Sequence, residues 1–158
     1  MGPKMLTKTI IDQLKHREFI SIATCDLNGR PNAASKLILK IEGNFIFLVD
    51  YIFGKSYENL RGNPRVSLSF ANTESLKSYQ INGSVELIEN GPVYEAIAKE
   101  LVQKEISLST ERIIKGVSSG KHHETYEVAI PEKFVIFKVK IEETVEMPYG
   151  GGVKREKA

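Results

Sequence analysis

The chain has a single cysteine, Cys25, so it forms no internal disulfide and offers no metal site built from several thiolates. No continuous apolar stretch approaches the ~20 residues of a membrane-spanning helix, and the N-terminal "MGPKMLTKTI" lacks the uninterrupted apolar core of a signal peptide. A soluble, cytoplasmic protein is the expectation. An excess of one charge is missing too. The 22 basic and 20 acidic residues are mixed along the chain and leave +2, which gives no footprint for nucleic acid or an anionic membrane. What remains is 158 residues, 41% of them apolar, enough for one domain with a sizeable core.

One further absence decides a motif. Gly54-Lys55-Ser56 ends like a nucleoside-triphosphate loop, but that loop needs another glycine five residues earlier. Position 49 is Val49, and the preceding "FIFLVDYIF" has no run of glycines to wrap a triphosphate. The lysine needs another explanation.

Apolar spacing divides the chain into elements. Leu6, Ile10, Ile11 and Leu14 recur at helical spacing and predict a helix over about residues 5 to 16. "FISIATC" alternates as a strand, and Asn28-Gly29 marks a hairpin turn. "NAASKLILKIEGNFIFLVD" continues with Leu37, Leu39 and Ile41 on one face and Lys36, Ile38 and Lys40 on the other, then turns into Phe45 to Val49. "KSYENLRGNP" predicts one or two helical turns that stop before Pro64. "RVSLSF" and "SYQINGSVELI" are the next strands, with Gly83 permitting a bulge or a close backbone approach. Asn90-Gly91-Pro92 starts a helix carrying Val93, Ile97 and Leu101, followed by a second short helix at about 110 to 116 and the polar loop "SSGKHHET". "FVIFKVKIEETVEM" closes the pattern as a long strand. Six strands with short helices predict a mainly β domain over 1–147, a closed or nearly closed antiparallel barrel, and 148–158 reads as a flexible tail.

The succession "FISIATCDLNGRPNAA", "LILKIEGNFIFLV", "GKSYENLRGNPRVSLSF", "YQINGSVELIE" and "GPVYEAIAKEL" resembles the pyridoxamine 5'-phosphate oxidase-like FMN-binding split barrel proteins over residues 5 to 141. The resemblance implies a homodimer with two FMN sites at the subunit interface. It implies that Lys55 and Ser56, at the mouth of a short helix, hold the FMN phosphate. Such an end offers exposed amides, the positive end of the helix dipole and a charge-assisted lysine contact. One phosphate needs no glycine-rich wrap.

By the same resemblance Lys36 reaches the phosphate side from the second strand. Asn32, Ala33, Ala34 and Ser35 pass the flavin ring, where small side chains suit a flat cofactor. Val49 and Asp50 line the ring, and Gln80 lies near the ring or the ribityl chain. The plain alternatives are a solvated strand lysine for Lys36, core for Val49 and an exposed strand glutamine for Gln80. Asn59 and Arg65 are open between a site role and a solvent-facing one.

Two alternatives stand beside an FMN-dependent oxidoreductase acting on a small molecule or a nicotinamide donor. One is a non-catalytic FMN electron carrier. The other is a haem-binding or haem-degrading barrel, for which His122 and His123 are the only clustered histidines. The chain lacks the Arg-x-Pro segment of the enzymes that make pyridoxal phosphate, and related barrels that take deazaflavin share the same phosphate contacts. No catalytic side chain and no metal ligand is expected.

Overall fold

Asp26 sets the first hairpin. Its Oδ1 accepts the N–H groups of Asn28 and Arg30 at 2.8 and 2.9 Å, and Gly29 takes φ 80°, a left-handed conformation in which glycine carries no Cβ penalty. The turn fixes the register of β1 (Phe19–Cys25) against β2 (Pro31–Glu42), with Cys25 opposite Pro31 and Phe19 opposite Leu37. The computed structural model describes residues 5–120 and 133–158. His122 and His123 lie outside the described residues.

The remaining elements are α1 (Lys8–Lys15), β3 (Phe45–Asp50), α2 (Lys55–Gly62), β4 (Arg65–Asn72), β5 (Lys77–Ile88), α3 (Pro92–Ser118), β6 (Val135–Met147) and β7 (Lys154–Lys157). Their sheet order is β3-β2-β1-β4-β5-β6-β7, and a β3–β6 pairing closes the first six strands into an antiparallel barrel. This is the expected six-stranded architecture. Contacts divide the chain into a barrel unit, Met1–Ile88 with Phe134–Ala158, and a second unit, Glu89–Lys133, whose described part holds α3.

Alternation fills the barrel. Ile20, Ile22, Leu68, Ile81, Phe137 and Val139 point inward and are almost completely buried, each stabilising the fold by about 1.5–3 kcal/mol of transfer free energy. Thr7 caps α1 by accepting from the Ile10 N–H, and Ile10 and Leu14 of that helix join the barrel core. The helix is shorter than its apolar spacing predicts, because Met5 and Leu6 enter the core ahead of the cap.

Three expectations are corrected. The alternation expected along β2 breaks at a bulge between Ile38 and Lys40, so Ile38 points inward with Leu48 while Lys40 lies over the Phe47 ring. The short helix at 110 to 116 is the end of one continuous α3; no proline or glycine interrupts positions 93 to 115 to stop it. The tail is not free of structure, since Lys154–Lys157 pairs with Glu143 to Glu146 through backbone ladders that require no apolar side chains. Among the described residues no helix is long and apolar enough to cross a membrane, and no group of three or more His, Cys, Asp or Glu side chains could hold a metal ion.

Glu143 ties β7 to the barrel. Its Oε2 accepts from Asn82 at 2.6 Å and from Arg155 at 2.8 Å, and these two partners hold its carboxyl below the ordinary 4.5. A depressed native value means that the tie is fully present above pH 4.5 and is lost as pH falls through the lower native value. The protection factors of the Arg155 and Lys157 amides, taken relative to their intrinsic exchange rates, should therefore fall on acidification. The Glu143→Gln variant should lack this pH step, and an unchanged step would exclude Glu143 as its source.

Candidate functional site

α2 begins without a side-chain cap. Its N-cap is Gly54 in an extended conformation, and Lys55 and Ser56 are the first helical residues. An uncapped first turn presents amide donors and the positive end of the helix dipole, a natural seat for an anion. Lys55 adds an exposed ammonium whose one ion pair among the described residues is a solvent-exposed one, to Glu58 at 3.2 Å. Such a pair is weak in water and easily exchanged for a stronger anion.

The approach to this helix is tightly specified. Asp50 Oδ1 accepts the Ile52 N–H at 3.0 Å, and Phe53 adopts φ 51°, a left-handed conformation that persists in a bulky residue only where its surroundings impose it. Here Phe53 packs on the core and sits edge-to-face with Tyr57, ring centroids 5.2 Å apart. Further along α2, Asn59 donates to Thr24 Oγ1 at 3.1 Å, Leu60 enters the core and Asn63 donates to the Cys25 carbonyl at 3.3 Å. The helix is thus pinned to the β1 end of the barrel. Asn59 is buried, which overturns the solvent-facing reading. Thr24, which alternates with Ile20 and Ile22 on the inner face, was not among the expected site residues.

β2 distributes the remaining candidates over its two faces. Asn32 lies opposite Thr24 and Lys36 opposite Ile20, so both side chains point inward. Asn32 Nδ2 donates to Ser56 Oγ at 3.1 Å, which leaves the Ser56 hydroxyl proton available. Lys36 is 4% exposed, and its Nζ lies 2.8 Å from Asp50 Oδ1, itself 1% exposed. The solvated-lysine reading is overturned: the ammonium is held inside the barrel by a carboxylate from the neighbouring strand. The second oxygen, Asp50 Oδ2, is buried without a hydrogen-bond partner among the described residues.

Ser35 faces the other way. It lies in a row across the outer surface with Ser21, Ser69 and Gln80, next to a second row of Ala33, Ala23, Ser67 and Asn82. Gln80 Nε2 donates to Ser67 Oγ and Asn82 Oδ1 at 3.0 and 3.1 Å, which lays the side chain along the sheet. The result is a broad surface of small side chains. Val49 is 2% exposed opposite Leu37 and Ile136, as a core residue would be. The structure therefore joins Asn32 to Ser56, Lys36 to Asp50 and Lys55 to the head of α2, while Ser35 and Gln80 share the outer face. The second row itself lines a cleft of about 640 Å³, where Ala23, Ser67 and Asn82 meet the charged side chains of Arg65, Glu142, Glu143 and Lys157.

Comparison with known proteins bears on the fold and the family. The family described as Pyridoxamine 5'-phosphate oxidase matches residues 6–147. An uncharacterised protein of Methanocaldococcus jannaschii is 31% identical over 99 residues, covering 61% of this chain and 64% of its own length, so the match spans less than two-thirds of that relative. Among solved structures, a Clostridium acetobutylicum protein of the pyridoxinephosphate oxidase family, related to general stress protein 26 of B. subtilis, superimposes with a TM-score of 0.67 at 13% identity, covering 96% of each chain. A pyridoxamine 5'-phosphate oxidase-related, FMN-binding protein from Nostoc punctiforme gives a TM-score of 0.59 at 12% identity and covers 99% of each chain. At these identities the structural likeness speaks for the fold, and the sequence match over most of the barrel carries the kinship: this chain belongs to the pyridoxamine 5'-phosphate oxidase family.

Proposed function

We propose that the protein is an FMN-dependent oxidoreductase that works as a homodimer and passes hydride or electrons between a nicotinamide or other small-molecule donor and an acceptor. The observation that carries this reading is the uncapped N-terminus of α2 with Lys55 at its head, which suits the phosphate of a mononucleotide without the wrap that a triphosphate needs. Family membership and the Nostoc punctiforme FMN-binding protein of the same fold support the choice of cofactor.

The residues present fit such a group. Lys55 would neutralise phosphate charge, and the Ser56 hydroxyl, anchored by Asn32, has a proton to donate. The Lys36–Asp50 pair acts one step back: by accepting the Ile52 N–H, Asp50 orients the loop that delivers the head of α2. The outer rows of Ser and Ala leave a flat surface on which a planar ring could lie and which a second copy could cover. FMN, when bound, supplies the redox chemistry, and no side chain of this chain is required to react.

The absorption spectrum of the purified protein, read before and after addition of FMN, tests the reading. A flavin spectrum, with bleaching by reduced nicotinamide under anaerobic conditions, is expected. A flavoprotein that no nicotinamide bleaches would point to an electron carrier instead.

A further inference from the structure

Lys55 and Glu58 are the charged side chains of the first turn of α2, and they cancel: Glu58 Oε2 lies 3.2 Å from Lys55 Nζ, with both side chains more than half exposed. Lys36 adds no net charge nearby, because Asp50 neutralises it inside the barrel. Arg61, the next cation of α2, lies in the last turn over the Tyr57 ring. An anion that arrives at the amides of the first turn therefore meets a lysine already occupied by a carboxylate.

Backbone geometry keeps Glu58 in that place. Its N–H donates to the Gly54 carbonyl at 3.1 Å, the first hydrogen bond of the helix, so it stands one turn beyond the uncapped end. Residues at i and i+3 share a helix face, which brings its carboxylate to Lys55. A carboxylate so near a helix N-terminus also complements the positive end of the dipole. Glu58 thus does both things that an anionic ligand would do there. A phosphate has to take the lysine from it and then share the first turn with its negative charge.

We infer that Glu58 is a built-in competitor for the phosphate seat, which weakens the hold on a phosphate monoester by occupying Lys55; the inference rests on the reading of the head of α2 as the FMN phosphate site. The seat is then looser than the helix end and the lysine alone would make it, and the cofactor exchanges more readily. Because the pair is exposed, its effect is modest and fades with ionic strength.

Glu58→Gln removes the charge and keeps the size and helix-forming character of the side chain. The test is equilibrium binding of FMN and of riboflavin, which lacks the phosphate, to the full chain at low ionic strength, with and without this change, in the wild-type and Lys55→Ala backgrounds. Glu58→Gln should tighten FMN about three- to tenfold and leave riboflavin unchanged. The gain should be smaller in Lys55→Ala, where no lysine remains to be released, and should shrink at high salt. A purely structural Glu58 would act in the opposite direction, since loss of its dipole contact would loosen the helix head. FMN affinity that is unchanged or weaker in Glu58→Gln, or an equal gain for riboflavin, would overturn the proposal. A wild type that binds neither flavin removes the FMN reading and this proposal with it, whereas a wild type that binds FMN beside an unresponsive Glu58→Gln removes this proposal alone.

Discussion

Replacing Lys36 by methionine is expected to destabilise the protein by about 3–5 kcal/mol, far more than an exposed lysine would. The reason lies in what is left behind. Asp50 is 1% exposed and its Oδ2 already lacks a partner, so removing the ammonium strands a buried carboxylate beside Leu48 and Val135 in the barrel wall. The Lys36→Met, Asp50→Asn double variant should recover most of the loss, because asparagine keeps an acceptor for the Ile52 N–H while no charge remains buried. Urea unfolding of both variants checks this. Midpoints should move with little change in slope, and additive rather than compensating effects would show that the two side chains do not depend on each other.

The second large effect belongs to Gly83. A Cβ at this position would lie 2.0 Å from the Lys140 carbonyl oxygen and 3.0 Å from its carbon. The obstacle is backbone, not a side chain that could rotate away. It sits at the bulge where Asn82 opposes Glu143, Gly83 opposes Ile141 and Glu142 is left over. Gly83→Ala must therefore push β5 from β6 at the centre of a closed barrel, and about 3 kcal/mol or more should be lost. Thermal unfolding supplies the measurement. A variant melting within a degree of wild type would mean that the close approach is not there.

Much of this architecture is legible in the amino-acid order because local chemistry and global pairing agree. Asp26, Asn28 and Gly29 name their own turn, and Asn63-Pro64 ends α2 where the pattern says it must. Gly83 announces the bulge it occupies. What escapes is whatever depends on a partner far along the chain. Leu37, Ile38 and Leu39 are all apolar, so a bulge among them leaves no trace in the alternation. Lys36 reads as a surface lysine until a strand from 14 residues away places Asp50 against it. β7 has no apolar residue because its pairing runs through the backbone at a sheet edge. Of the candidate site residues, Lys55 and Ser56 fall at the head of a helix that the local sequence predicts. The inward turn of Asn32 and the outward turn of Ser35 require the register.

The central claim is that the head of α2 holds the phosphate of FMN, and equilibrium binding of FMN and riboflavin to the wild type and to Lys55→Ala tests it most directly. Riboflavin is the same flavin without its phosphate. Wild type should prefer FMN by at least about tenfold, and Lys55→Ala should reduce FMN affinity by a similar factor with little change for riboflavin. A colourless protein that takes up neither flavin, or a Lys55→Ala variant that binds FMN as tightly as wild type, would contradict it.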